Sequence, residues 1–237
     1  MHQNLILTAL LKRHPEAARR LTRMDFVHGH LFGRVGEPIQ QAVFPATGMI
    51  SVVVQLADGE MVEAAMVGRI GVVGGSVAFG GMQHISTSFC QLPGTAYLLP
   101  AAELAALARE DDAMRSIIFA HEQFMQLQSQ QTAACNARHA IIKRLGTWLL
   151  RAKDVTGNSE MFLTQEFLAQ MLGVQRASVS VFAGRLQDME LISYRRGRLA
   201  ILDEAGLAHE ACECHARLAQ FRKGSLSDGG APFSEPA

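Results

Sequence analysis

Residues 163–191 read Leu163-Thr164-Gln165-Glu166-Phe167-Leu168-Ala169-Gln170-Met171-Leu172-Gly173-Val174-Gln175-Arg176-Ala177-Ser178-Val179-Ser180-Val181-Phe182-Ala183-Gly184-Arg185-Leu186-Gln187-Asp188-Met189-Glu190-Leu191, two short helices joined by a tight turn. Thr164 is placed to cap the first helix, with Glu166 in its opening turn to complement the helix dipole. Leu168 and Leu172 face inward, and Ala169 is small where a second helix must cross closely. Gly173 supplies the left-handed residue of the turn. Val174, Val179, Phe182 and Leu186 then form the buried side of the second helix. An ordinary helical hairpin can share this pattern, so the outward side of the second helix separates the two readings.

With Val179 and Phe182 inward, Arg176, Ala177, Ser180, Val181 and Gly184 point outward, flanked by Gln175 and Ser178. No acidic residue occurs from Phe167 to Gln187, so nothing on this face repels phosphate. Small side chains let such a helix sit deep in a DNA major groove. Arg176 can donate twice to a guanine edge, Gln175 can read adenine, and Val181 can touch a thymine methyl. Thr164, Ser178 and Ser180 suit phosphate oxygens, and Arg185 adds a further positive charge. Downstream, Leu191–Leu202 reads as strand, glycine turn and strand, with Arg195, Arg196 and Arg198 at the tip. Three arginines on a two-stranded ribbon make a basic wing that can lie along a phosphate backbone.

Upstream, residues from about 25 to 100 are rich in Gly, Val, Ile and Phe. Val43–Phe44, Met49–Leu56, Met61–Val67, Ser86–Leu92 and Ala96–Leu99 read as short strands, and Ala57-Asp58-Gly59-Glu60 as a hairpin turn. That spacing predicts a sandwich or roll. Residues 5–23 read as one or two helices before it. From Pro100 to Cys135 there is no glycine, and Met114, Ile117, Ile118, His121, Phe124, Met125, Gln128, Gln131 and Cys135 recur on one face of a long helix. Glutamines in such a stripe predict a seam between two copies of the chain, where polar groups set register. A second helix is expected over Arg138–Lys153, closed by a loop at Asp154–Asn158. The predicted class is α+β: a β-roll over 1–110, a long dimerisation helix over 111–136, a winged helix-turn-helix over 137–206 and a C-terminal extension over 207–237. Gly224–Ala237 is expected to be disordered.

Of the 237 residues, 49% are hydrophobic and 19% charged, which excludes intrinsic disorder for most of the chain. Charge cancels overall, yet residues 1–136 carry nine Lys/Arg against eleven Asp/Glu, and residues 137–223 thirteen against nine. The second half is thus mildly basic, which suits a polyanion. No apolar run approaches the roughly 18 residues needed to span a bilayer, and Leu5–Leu11 lacks the basic start of a secretory signal. Four cysteines give no disulfide framework, so a cytoplasmic location with reduced thiols is expected. Cys212-x-Cys214-His215 offers three close-set metal ligands without an evident fourth, and neither a metal site nor a cofactor is predicted.

A roll, a long helix and a C-terminal winged helix-turn-helix, in that order, resemble the Crp/Fnr family of bacterial transcription regulators over residues 25–205. The resemblance rests on Val35-Gly36-Glu37, on Phe44-Pro45-Ala46-Thr47-Gly48 through Gly68-Arg69-Ile70-Gly71, and on Leu163–Ile201. It implies a homodimer joined through the long helix, double-stranded DNA carrying an inverted repeat, RNA polymerase as a further partner, and an effector in the roll coupled to the DNA-reading helices. In members that bind cyclic nucleotides, a Gly-Glu pair meets the ribose and an Arg-Ser pair the phosphate. The matching positions here are read as Gly68-Arg69 and His84-Ile85. Cyclic AMP binding is therefore not expected, and Arg69 and His84 remain candidates for another anion. The iron–sulfur branch of the family needs an N-terminal cysteine cluster, whereas the first cysteine here is Cys90; His121 and Cys135 are eligible haem ligands.

Two other classes compete. His28-Gly29-His30 mimics the His-x-His of cupin-type metalloenzymes, yet Arg34 and Val35 stand where a carboxylate ligand belongs. A ligand-sensing module acting through protein partners, with a purely structural helix-turn-helix, is the third class. Salt-dependent DNA binding separates it from a DNA-reading regulator.

Overall fold

The structure, a computed structural model, describes residues 4–226. Helix α1 (Leu5–Arg13) is capped by Asn4, whose side chain accepts from the Leu7 amide and also donates to the carbonyls of Pro45 and Gly71. One buried residue thus starts the helix and ties it to the roll. Seven strands follow: β1 (Thr22–Phe26), β2 (Leu31–Gly33), β3 (Gln41–Pro45), β4 (Met49–Gln55), β5 (Met61–Val67), β6 (Thr87–Leu92) and β7 (Gly94–Pro100). They form two antiparallel sheets, ordered β1-β7-β3 and β2-β6-β4-β5. Phe26, Val43, Ile50, Val67, Val73, Cys90 and Ala96 form a common apolar core. The sequence reading missed β1 and β2: Thr22–Phe26 carries charged residues on its exposed side, and Leu31–Gly33 is too short to show an alternation.

Helix α2 (Ala101–Glu110) closes the roll, and Asp111 then stops and restarts the chain. Its Oδ1 accepts from the amides of Ala113 and Met114, capping helix α3 (Asp112–Arg138), while Arg13 grips both carboxylate oxygens and His14 meets Oδ2. The Arg13 guanidinium holds this carboxyl well below the usual range.

Helix α3 overturns the expected seam. Met114 and Ile118 are fully buried against α1, α2 and the roll, with Ile117 packed beside them. His121 Nε2 lies 3.2 Å from the Val72 amide nitrogen and 2.9 Å from the Val72 carbonyl oxygen, and burial pulls its pKa down to about 4. Gln128, only 3% exposed, accepts from the Met66 amide at 3.1 Å and donates to the Met66 carbonyl at 3.2 Å. Strand β5 is a sheet edge, and this side-chain amide pairs with it as another strand would. Phe124 stacks on Phe221. His121 and Gln128 therefore satisfy backbone of the same chain rather than setting register with a second copy.

Helix α4 (Ile141–Thr156) runs beyond its expected end, because Val155 packs under Gly68 and Asp154 receives His215 and Arg222 at 3.1 Å each. Then come β8 (Glu160–Phe162), α5 (Gln165–Leu172), α6 (Arg176–Asp188), β9 (Ile192–Arg195), β10 (Arg198–Ile201), α7 (Glu204–Glu210) and α8 (Cys214–Leu226). Strand β8, not anticipated, pairs with β10 to make a three-stranded sheet ordered β8-β10-β9. The expected disorder from Gly224 onward is replaced by helix through Leu226, and the rest of that expectation lies outside the described residues. Among the described residues, no helix is long and apolar enough to cross a membrane.

The roll, α3 and α4 meet at Glu63. This β5 carboxylate is 2% exposed, accepts from Trp148 Nε1 at 2.8 Å and from the Ser51 hydroxyl, and feels the Arg151 charge. Arg151 itself donates to Gln128 at 2.8 Å and to Thr132 at 3.2 Å. Desolvation lifts Glu63 from its ordinary 4.5 to about 7. Between those values the folded chain keeps a proton that the unfolded chain has released, so this contribution to stability is complete below pH 4.5 and fades as pH rises to 7. Glu63→Gln, which stays neutral, is expected to remove a decline on the order of 3 kcal/mol over that interval. Urea unfolding of both proteins across the interval checks this. The comparison isolates Glu63 even though burial also lifts half-buried Glu122 to about 7.

Candidate nucleic-acid interface

Thr164 caps α5 as expected, accepting from the Phe167 amide at 3.1 Å. Leu168, Ala169 and Leu172 are buried, Gly173 sits at φ +60°, and the Val174 amide returns to the Ala169 carbonyl at 2.9 Å. This αL stop turns the chain sharply into α6. Arg144 of α4 donates to the Leu172 carbonyl, so the end of α5 is held by a buried guanidinium.

Helix α6 buries Val179, Ala183 and Leu186. Phe182 packs against the same core as expected but stays half-buried, with the Arg185 guanidinium 5.2 Å from its ring centre, and Ala183 is buried more fully beside it. The opposite face stays open: Gln175, Arg176, Ala177, Ser180 and Val181 are exposed, Val181 at 54%, and Ser178 is half-exposed.

The wing forms at Arg195-Arg196-Gly197-Arg198, with φ of +52° at Arg196 and +79° at Gly197. Two successive positive φ values define the turn whose twist matches a hairpin. The exposed Phe162 ring covers Gly197 so closely that a Cβ there would lie 3.1 Å from it. Arg195 pairs directly with Arg198 across the hairpin, a like-charge juxtaposition that is destabilising until an anion lies against it. Tyr194 ties wing to helix: its hydroxyl donates to the Leu163 carbonyl at 2.6 Å, and its amide donates to Gln187 at 2.8 Å. Burial pushes this phenol up to about 12, so it remains a donor.

These pieces converge. Thr164, Gln165, Arg176, Tyr194 and Arg196 line one open groove between the start of α5, the start of α6 and the wing, with Glu166 at its edge. Arg195 and Arg198 line a second hollow on the other side of the ribbon, beside Glu160. Sequence reasoning missed Tyr194 and Gln187, since a hydrogen bond to a carbonyl 31 residues away leaves no periodic signal.

The other sequence candidates diverge. Arg69 is exposed beside Gly157 at the end of α4, whereas the His84 ring is seated on Gly33 in β2, where burial lowers its pKa. Ile85 is 92% exposed. His28 contacts the Gln91 carbonyl and the Phe167 ring, and His30 turns to Phe32, so the His-x-His pair does not point at one centre.

A family model for the Crp-like helix-turn-helix domain matches residues 143–210. No curated protein sequence matches the chain. Among solved structures, FixK2 from Bradyrhizobium japonicum superposes with a TM-score of 0.70 at 16% identity, covering 81% of this chain and 98% of that one. A CRP-family transcriptional regulator from Thermus thermophilus gives 0.66 at 19% identity, covering 79% and 96%. The c-di-GMP-responsive global regulator CLP from Xanthomonas campestris gives 0.65 at 14% identity, covering 83% and 99%. At these identities the likeness is one of fold, and its order of roll, long helix and winged helix-turn-helix is the order found here.

Thr164→Ala is expected to cost about 1 kcal/mol of stability through loss of the cap, with Thr164→Ser near wild type. Denaturant midpoints at constant m-value check it.

Proposed function

Given a chain with the fold of the Crp/Fnr regulators and a Crp-like helix-turn-helix domain at 143–210, we propose that it is a sequence-specific DNA-binding transcription regulator acting as a homodimer. The observation that carries this reading is the convergence of α6 and the wing on one groove, with Arg176 and Arg196 on its walls. The exposed face of α6 bears no acid before its last residue, Asp188, and the Arg195–Arg198 pair asks for a polyanion. In this reading Gln175, Arg176 and Val181 meet base edges. Thr164, Ser178 and Ser180 meet phosphates, as do the basic groups Arg185, Arg195, Arg196 and Arg198.

Dimerisation uses the other face of α3. Ser116, Ala120, Gln123, Leu127, Gln130, Ala134 and Ala137 repeat at alternating four- and three-residue steps, are exposed or half-exposed, and include no charge. Phe119 flanks this stripe at 50% exposure. Small side chains at that spacing allow close approach of a second, symmetry-related helix. The roll serves as a sensor that has departed from cyclic-nucleotide recognition, because Arg69 and His84 face different neighbours. RNA polymerase is the further partner this reading implies.

Leu127→Glu with Ala134→Glu is expected to give monomers in sedimentation, whereas Phe124→Glu disturbs packing on Phe221 without touching the seam. An unchanged dimer in the double variant overturns the assignment.

The dimer is expected to prefer an inverted repeat with half-sites about 34 Å apart. Arg176→Ala should weaken binding by roughly 1–3 kcal/mol and relax preference at one base pair per half-site. Arg196→Ala should weaken all sequences alike and make the salt slope shallower by about one. Selection of bound fragments followed by salt-dependent titration checks all of this. Binding to a protein partner with no salt-dependent DNA affinity overturns the reading.

A further inference from the structure

Three of the four cysteines and one histidine come together outside the DNA-facing groove. Cys135 lies near the end of α3, and His139 is the residue that ends that helix. Cys212 and Cys214 lie in the connection from α7 to the start of α8. The sulfurs of Cys135, Cys212 and Cys214 and a ring nitrogen of His139 all lie within 4.8 Å of one another. Cys135 Sγ is 3.5 Å from Cys212 Sγ, and Cys214 Sγ is 3.5 Å from His139 Nδ1.

We propose that Cys135, His139, Cys212 and Cys214 form a tetrahedral site for a single zinc ion that fastens the α3–α4 elbow to the C-terminal helices. The spacing suits one ion. Zinc–sulfur bonds of about 2.3 Å put tetrahedral ligands roughly 3.8 Å apart, close to the separations present. A multi-iron cluster requires its thiolates farther apart.

The surroundings suit a metal as well as the ligands do. His139 presents Nδ1 to Cys214 while Nε2 lies 3.2 Å from the Glu213 carboxylate, the arrangement that orients a metal-binding imidazole and raises its basicity. Gln131 Nε2 donates to Cys214 Sγ at 3.0 Å, and Thr147 Oγ1 lies 2.9 Å from Cys212 Sγ. Donors to sulfur stabilise thiolate rather than thiol. Three thiolates and a neutral imidazole around a divalent ion leave one negative charge. Arg144, 8% exposed and with Nε lacking any partner, feels the field of the Cys135 and Cys212 sulfurs, as does Arg151. On binding, the three thiols lose their protons to solvent.

Sequence reading paired Cys212 and Cys214 with His215 and found no fourth ligand. Folding turns His215 away to Asp154 and brings Cys135 and His139 from the helix end instead. Since His139 and Ala140 join α3 to α4, an ion here fixes the angle at which the 143–210 domain leaves the long helix. The site does not depend on the DNA-binding reading and is tested without DNA.

The full chain, purified anaerobically under reducing conditions, should carry about one zinc per chain by elemental analysis. Removal by a chelator should lower Tm. Titrating the stripped wild-type protein with cobalt(II) should give thiolate-to-cobalt charge-transfer bands and the visible bands of tetrahedral cobalt, saturating at one equivalent. Cys214→Ser and His139→Ala should weaken cobalt binding at least tenfold, while Cys90→Ser and His215→Ala retain it. The proposal is overturned if wild-type protein with all four thiols reactive binds neither ion, if it carries iron with inorganic sulfide, or if Cys135 and Cys212 are isolated as a disulfide. Unchanged cobalt spectra in Cys214→Ser overturn it too, and the wild-type titration decides the matter should a variant fail to fold.

Discussion

A carboxylate removed from water must be paired, hydrogen-bonded or protonated, and Glu63 meets that constraint where the roll, α3 and α4 come together. Its strand belongs to the roll, its indole donor to α4, and the nearby Arg151 reaches back to α3 through Gln128 and Thr132. Gln128 in turn completes the edge strand that carries Glu63. Roll, long helix and winged helix-turn-helix are therefore joined by a polar network whose members cannot be displaced one at a time. An apolar interface would tolerate sliding; this one specifies a single arrangement, because each displaced group would be left buried without a partner.

The same logic explains the two faces of α3. Its polar-and-apolar stripe is consumed by the chain's own roll and C-terminal helices, with His121 on Val72, Gln128 on Met66 and Phe124 on Phe221. Between Ser116 and Ala137 the exposed side includes a charge-free row of small and medium side chains. The helix is thus a beam with one side committed within the chain and the other exposed. At its end the cysteine–histidine cluster gathers ligands from segments about 75 residues apart.

At the opposite end of α4, structure and charge cooperate differently. A left-handed Arg196 and the facing Arg195–Arg198 pair make the wing locally unfavourable in isolation. Tyr194 and the Phe162 ring over Gly197 hold it nonetheless. Strain and like charge kept at an exposed tip are consistent with a surface shaped for an anionic partner rather than for stability alone.

The sequence by itself determined whatever local chemistry controls. Thr164, Gly173 and the Leu168–Leu172 spacing encode the cap, the turn and the buried side of the helix-turn-helix, since each acts within a few residues of itself. Asp58-Gly59 between the apolar runs of β4 and β5 likewise encodes the hairpin of the roll. The side of α3 that faces inward was beyond local reading. Periodicity reports that a stripe exists, but only the position of an edge strand decides that Gln128 pairs with Met66 rather than with another chain. Sequence spacing did not reveal the cysteine–histidine cluster, because Cys135 and His139 join Cys212 and Cys214 through the path of the chain, not through its order. Short-range hydrogen bonding and side-chain shape belong to the sequence, whereas the partners of buried polar groups are chosen by the tertiary structure, because desolvation makes every such group depend on what lies across the fold.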